Sequence, residues 1–278
     1  MHVLVTGSSG RVGGAIAAEL ATRHTVIGLD ARPGPLTTQV LDLRDHAAVA
    51  AACTGCEAVI HSAARHAPDV GVAADAEFEA INVAATANLL DACRRHGIER
   101  FVYTSSTSVY GHALVPHGAA VWVDETLPPQ PRDIYDDTKL AAEALVRRAG
   151  LRGAILRMSR SFPEPAPQLA QYRLHRGVDL RDVAAAHALA LVRAPAGMPV
   201  YVISAPTPFQ REDGAALLHD AAAVIHARAP DFAAAFAARG WPLPASIDRV
   251  YDCARAITEL GYAPRYDYRA LLAELPPA

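Results

Sequence analysis

Tyr135 and Lys139 stand four residues apart in Tyr135-Asp136-Asp137-Thr138-Lys139. On a helix that interval puts both side chains on one face, one turn apart. An ammonium beside a phenol favours the phenolate, which draws tyrosine down from about 10 toward the working range of a general base. A hydroxyl able to hold the oxygen that gives up its proton is offered by the run Thr104-Ser105-Ser106-Thr107-Ser108.

A second cluster lies at the start of the chain. Thr6-Gly7-Ser8-Ser9-Gly10-Arg11-Val12-Gly13 follows an apolar strand and opens a helix. Glycines there permit a tight turn and close backbone approach, and the helix N-terminus offers unpaired N–H groups to a pyrophosphate. Asp30 ends the next strand, about 20 residues on, where a carboxylate accepts both ribose hydroxyls of a dinucleotide. This favours NAD over NADP, because the acid repels a 2′-phosphate; Arg32, two residues later, is the feature that keeps NADP as the alternative. Asp42 and Leu43 after the third strand, and Ala63 and Ala64 after the fourth, are placed to line the adenine and ribose sides.

The elements that must position these groups alternate. Strands are expected at 3–6, 25–30, 39–41, 57–61, 100–104, 152–157 and 200–203, with helices over 12–22, 44–52, 78–95, 135–148 and 181–191. Strand and helix in turn mean parallel strands joined by helical crossovers, and the fully apolar strands fit a sheet covered on both faces. The expected fold is α/β: a Rossmann-type doubly wound parallel sheet with a small, mainly helical C-terminal substrate lobe. Residues 1–160, completed by segments around 178–204, form the cofactor domain in this reading, and 161–278 the discontinuous lobe. Chemistry should then follow the carboxyl ends of strands.

Composition narrows the partners. Half the residues are hydrophobic (51%), enough for a core, and a net charge of -3 lacks the basic excess that nucleic acids or anionic membranes call for. No apolar run reaches the roughly 20 residues of a membrane span, and the expectation is a cytoplasmic protein. Cys53 and Cys56 form a C-x-x-C without a second pair, and the twelve histidines show no ligand spacing, so no metal is expected.

Together the motifs resemble the extended short-chain dehydrogenase/reductase superfamily, in the branch of NAD-dependent epimerases and dehydratases typified by UDP-galactose 4-epimerase. The stretches that carry the resemblance are 6–13, 78–92, 101–111, 135–143 and 178–184. It implies Ser106 as the catalytic hydroxyl, Tyr135 as base and Lys139 as its support. It places Asn82 at the nicotinamide end and Thr104 beside the cofactor, and it puts Thr107 and Ser108 next to substrate. It also implies a homodimer through the two long helices.

Two departures bear on substrate. Where the epimerase pattern has an Asn that reaches the sugar nucleotide, this chain has Arg160, and only residues 165–177 stand where a longer nucleotide-gripping segment is usual. The compact lobe is similar to that of uronate dehydrogenases, whose carboxylate-gripping Arg falls near Arg173. Arg160, Arg173, His175 and Arg176 then form a cationic stretch suited to a carboxylate or phosphate. The activity implied is hydride transfer at a carbinol carbon of a sugar or nucleotide sugar, of the 4-epimerase type. The alternatives are a free-sugar or uronate dehydrogenase and a non-catalytic NAD-binding protein; dehydration ranks last, because Thr107-Ser108 supplies no acid pair.

Overall fold

The computed structural model describes residues 1–276. Its first half runs β1 (His2–Thr6), α1 (Arg11–Ala21), β2 (Thr25–Asp30), β3 (Gln39–Val40), α2 (His46–Ala52), β4 (Ala58–His61), α3 (Asp75–Phe78), α4 (Ala85–His96) and β5 (Arg100–Ser106). There follow β6 (Val121–Val123), α5 (Ile134–Arg148), β7 (Arg152–Met158), α6 (Ala166–His175), α7 (Leu180–Arg193) and β8 (Val200–Ile203). The last stretch holds α8 (Gly214–His219), α9 (Ala221–Arg228), α10 (Pro230–Ala238), β9 (Arg249–Tyr251) and α11 (Tyr268–Glu274).

Seven strands share one sheet in the order β3-β2-β1-β4-β5-β7-β8. The pairs β1–β2, β1–β4, β2–β3 and β4–β5 are parallel, with Thr6 opposite Leu29 on one side and His61 on the other. The winding reverses between β1 and β4, and in such a sheet the crevice beyond the carboxyl ends at that point is where ligands bind. Val3, Leu4, Val5, Val59 and Ile60 have no exposed surface, as strands covered on both faces require.

Two compact units divide the chain. The first comprises Met1–Val109, Pro131–Arg157 and Val183–Tyr201; the second comprises Tyr110–Gln130, Met158–Asp182 and the chain from Val202 onward. Residues 110–130, expected in the cofactor domain, thus belong to the second unit. In the first, Leu4, Leu29, Val59, Phe101 and Ile155 from the strands pack with Val49, Leu89 and Val146 from α2, α4 and α5. Cys53, Cys56 and Cys93 are buried in the same cluster as free thiols, and burial pushes Cys53 up to about 12. The C-x-x-C is a helix-ending turn in the core.

Two expectations change in detail. The single helix over 78–95 is α3 and α4 joined through a π-helical turn, Glu79–Ala84, and it ends at Gly97 in the left-handed conformation (φ 65°). In the second unit, the helices are joined by a parallel ribbon, β6 with β9, in which Trp122 donates its indole N–H to Asp252 at 2.9 Å. That unit's core is largely aliphatic, with an aromatic cluster inside it: Phe232 stacks on Phe236 at 4.1 Å, and Tyr268 meets Phe232 edge-on at 5.3 Å.

Candidate active site

Gly7 sits at φ +75°, and a Cβ there would lie 2.9 Å from the Ala63 nitrogen; one on Gly13 would lie 2.1 Å from the Gly7 carbonyl oxygen. Only glycine closes this turn. Helix α1 opens at Arg11 behind Gly10, which has no side chain to cap it, and no acid stands in the first turn. Its N-terminus therefore keeps its positive dipole end for an anion. Asp30 accepts from the Ser9 N–H through Oδ2 and from the Arg32 N–H through Oδ1, each at 3.0 Å, leaving each oxygen a lone pair for a ribose hydroxyl. Ser9 Oγ donates to the Arg32 carbonyl at 2.6 Å, while the Arg32 residue is exposed. Val12 and Gly13 continue the turn into α1. These residues fit a dinucleotide.

The flanking predictions fare unevenly. Asp42 is taken up by Arg44, whose Nε lies 3.0 and 2.9 Å from its two oxygens, and Leu43 is buried in the core cluster. Ala63 is tied down by Thr6: Thr6 Oγ1 accepts from the Ser62 and Ala63 N–H groups, both at 3.1 Å, and lies 2.7 Å from His61 Nδ1. Ala64 follows it, half-buried. With both acceptor sites filled, the Thr6 proton points at His61. His61 is then the Nε2–H tautomer, donating to Thr86 Oγ1 at 2.9 Å, and Thr86 donates to the Asn82 carbonyl at 2.7 Å. Burial lowers the His61 pKa to about 3, consistent with a neutral ring.

Asn82 sits in the π-helical turn, a distortion frequent at functional sites. Its Oδ1 accepts from the Arg65 N–H at 2.7 Å, and its Nδ2 donates to the Arg65 carbonyl at 3.2 Å and to Thr138 Oγ1 at 3.0 Å. It clamps the loop after β4 to α5. Both amide protons of Asn82 are taken up here, and its Oδ1 keeps one acceptor site for the nicotinamide contact that the resemblance implies.

Ser106, Tyr135 and Lys139 come together where β5 ends and α5 begins. Asp133 caps α5 by accepting from the Asp136 N–H at 3.0 Å. Ser106 Oγ accepts from the Ser108 N–H at 3.0 Å and is hydrogen-bonded to the Tyr135 side chain. Lys139, 3% exposed, donates to the Thr104 carbonyl at 2.7 Å and lies 4.1 Å from the Tyr103 ring centre. Thr104 Oγ1 lies 2.8 Å from His187 Nε2, and His187 donates from Nδ1 to the Val183 carbonyl at 2.7 Å, so Thr104 is the donor.

One electrostatic expectation is corrected. Burial, not the lysine, dominates Tyr135 and pushes it up to about 12, with Asp136 and Asp133 adding to the rise and the Ser106 hydrogen bond opposing it. Burial also draws Lys139 down to about 7, against the pull of Glu143. Tyr135 is a neutral phenol in this arrangement; of the two positive charges expected to favour its phenolate, the lysine is outweighed by burial, and the other is the nicotinamide of a bound cofactor.

Thr107 is buried, and Ser108 donates to the buried Asp136 at 2.5 Å while accepting from Arg132 Nη2 at 3.2 Å. Sequence reasoning missed Asp136, Arg132 and Glu143. It also missed that Lys139 is the only lysine in the chain, all other cationic side chains of this class being arginine. That solitary use of an amine, which can deprotonate where guanidinium cannot, was a readable signal.

In the second unit the residues of the cationic stretch have partners within the unit. Arg173, expected as a substrate grip, is 8% exposed and donates Nη2 to Asp179 at 2.6 Å and Nη1 to the Tyr266 carbonyl at 2.7 Å, while its buried Nε has no partner. His175 is buried and donates to the Arg249 carbonyl at 2.8 Å. Arg160 pairs with Glu164 and lies over the Phe162 and Tyr172 rings at 5.2 and 5.3 Å. Among the described residues no helix is long and apolar enough to cross a membrane, and no group of three or more potential ligands could hold a metal ion.

Comparison with known proteins matches residues 3–168 to the NAD dependent epimerase/dehydratase family. A 3-beta-hydroxysteroid dehydrogenase of Mycolicibacterium neoaurum is 38% identical over 159 residues, covering 52% of this chain and 42% of that protein. The chain thus spans less than half of that relative. A dTDP-glucose 4,6-dehydratase of Streptomyces antibioticus is 30% identical across 96% of this chain and 89% of its own length. Among solved structures, a short-chain dehydrogenase/reductase superfamily protein from Agrobacterium tumefaciens with bound NAD is similar at a TM-score of 0.71 and 25% identity, covering 99% of this chain and 95% of its own.

Proposed function

The chain belongs to the NAD dependent epimerase/dehydratase family, and from that premise we propose that it moves a hydride at a carbinol carbon of a sugar or nucleotide-linked sugar, in the manner of a 4-epimerase. What supports the reading is the hydrogen-bonded couple of Ser106 and Tyr135 with Lys139 one turn on, at the carboxyl end of β5. The substrate hydroxyl is held by Ser106, whose Oγ is fixed by the Ser108 N–H, and Tyr135 takes its proton. Lys139 supplies positive charge from the same helix face. NAD, when bound over the Gly7–Gly13 turn, supplies the hydride acceptor and further positive charge. Asp30 receives its ribose hydroxyls, and this carboxylate is the reason for NAD over NADP.

A second reading, a dehydrogenase of a free sugar or uronate with net NADH release, is supported by the single helix α6 that fills the stretch before Val178. Dehydration stays last, because the acid beside Ser108 is Asp136 alone. A non-catalytic binder would have no use for the chain's sole lysine under its tyrosine. The homodimer remains part of the proposal, with solution mass as its test.

The deciding experiment incubates purified protein with NAD and a panel of free aldoses, uronates and nucleotide sugars, recording NADH and product identity. Interconversion of nucleotide sugars without net NADH is the expected outcome. NADH formed with a free uronate overturns the epimerase reading in favour of the second.

A further inference from the structure

Lys139 is surrounded on every side that the first unit presents. From β5 come the Tyr103 ring and the Thr104 carbonyl, and from β4 the neutral His61, whose protonation Lys139 opposes. His66, on the loop after β4, feels the lysine in the same sense. From α5 itself come Tyr135 one turn before and Glu143 one turn after. Glu143 is the only carboxylate acting on the lysine in this set, and it pulls toward the charged form.

Glu143 is 2% exposed. Its Oε1 accepts from Ser105 Oγ at 2.6 Å and from Arg157 Nε at 2.9 Å, and its Oε2 accepts from Arg157 Nη2 at 2.7 Å. Arg147, one turn further along α5, stands 3.6 Å away. Ser105 adjoins Thr104, whose carbonyl is the hydrogen-bond partner of Lys139. Two bonds from neighbouring β5 residues therefore pin two successive turns of α5, one through the ammonium and one through the carboxylate. A buried carboxylate held in this way cannot turn aside; Arg157 and Arg147 offset part of its field at the ammonium, and what remains acts through a low dielectric one helical turn away.

We propose that Glu143 is a positioning residue, whose carboxylate keeps Lys139 charged against Thr104 and so sets the pH range over which Tyr135 can take a proton. The proposal rests on the catalytic reading of Tyr135 and Lys139 given above, but its test does not need turnover. As the only lysine, Lys139 gives a single ε-carbon resonance when the full chain is grown on lysine labelled with carbon-13 at that position. Titrating that resonance in wild type, Glu143→Gln and Arg157→Gln reads the lysine directly.

Glu143→Gln removes the negative charge, so the lysine midpoint falls by about 1 pH unit, a tenfold change in its protonation equilibrium. Arg157→Gln removes the charge that damps Glu143, so the midpoint rises. Ser105→Ala, which leaves both charges in place but frees the carboxylate to turn toward Arg157, lowers it by less than Glu143→Gln does and carries the test if either charge variant does not fold. With a substrate in hand, the alkaline limb of the pH–rate profile follows each midpoint, and Glu143→Asp restores the wild-type limb. A midpoint that stays put in folded Glu143→Gln, or that moves the same way in all the variants, overturns the proposal. Midpoints that move as stated while no substrate in the panel turns over would instead count against the catalytic reading.

Discussion

The two units differ in their buried polar groups, while arginines paired with nearby acids, such as Arg44 with Asp42, occur in the first as well. In the first, buried polar groups form chains that end near the start of α5 and the turn after β1: Thr6 to His61 to Thr86 to Asn82, Ser105 to Glu143 to Arg157, and Lys139 to Thr104. In the second, the cations close on local acids or carbonyls, Arg173 on Asp179, Arg181 on Glu274, Arg228 on Asp213 and Arg269 on Asp231. An aromatic cluster around Phe232 sits within its aliphatic core. The lesson is that an arginine beside a predicted substrate region can be drawn into holding a small unit together, as Arg173 is by Asp179 and the Tyr266 carbonyl. A small core has little apolar area to rely on, and ion pairs with buried members fix its geometry.

Three experiments break or sharpen that contrast. Tyr135→Phe should lower kcat about 10²–10⁴-fold while leaving NAD affinity and urea unfolding unchanged, because it removes the proton acceptor and keeps the ring; retention of full activity would dissolve the catalytic half of the comparison. Arg173→Met should cost about 2 kcal/mol of stability by urea titration, since Asp179 then keeps only Arg181, and should leave substrate KM unmoved once folded. A raised KM with normal stability would restore Arg173 to the substrate and erase the difference between the units.

The smallest effect per step is acidic. His61, His175 and His187 have pKa values lowered by burial to about 3, 4 and 4, from 6.5 when exposed. The unfolded chain binds these protons below about pH 6.5 and the folded chain does not, so stability is lost as pH falls from about 6.5 to about 4. Each ring contributes on the order of 1 kcal/mol per pH unit in that window. Two of the three are in the first unit, so amide exchange should rise there first; equal loosening in both units would contradict the assignment.

Local features were legible in the sequence. The glycine turn needs only a strand before it and a helix after it, Asp30 marks a strand end, and the Tyr135–Lys139 interval is a property of one helix. What escaped were pairings across sequence. Arg173 finds the Tyr266 carbonyl 93 residues away, and β6 meets β9 through three-residue strands too short for periodicity to register. Burial was also invisible: a phenol next to an ammonium reads as acidified, until its desolvation outweighs the neighbour. Glu143 was within reach, four residues past Lys139, had the helix face been followed one more turn.

The Thr6 hydroxyl has a consequence for the order in which the molecule is made. Its partners at His61, Ser62 and Ala63 lie 55 to 57 residues downstream, so the turn after β1 cannot acquire its final shape when its own residues leave the ribosome. It must wait for β4 to dock beside β1, a loop closure whose entropy is spent before any of these bonds form. The proposed cofactor cradle, although encoded in eight consecutive residues, is a late-assembled part of the fold. Thr6→Val, which keeps the strand and removes the hydroxyl, would separate early sheet formation from completion of the cradle in refolding experiments.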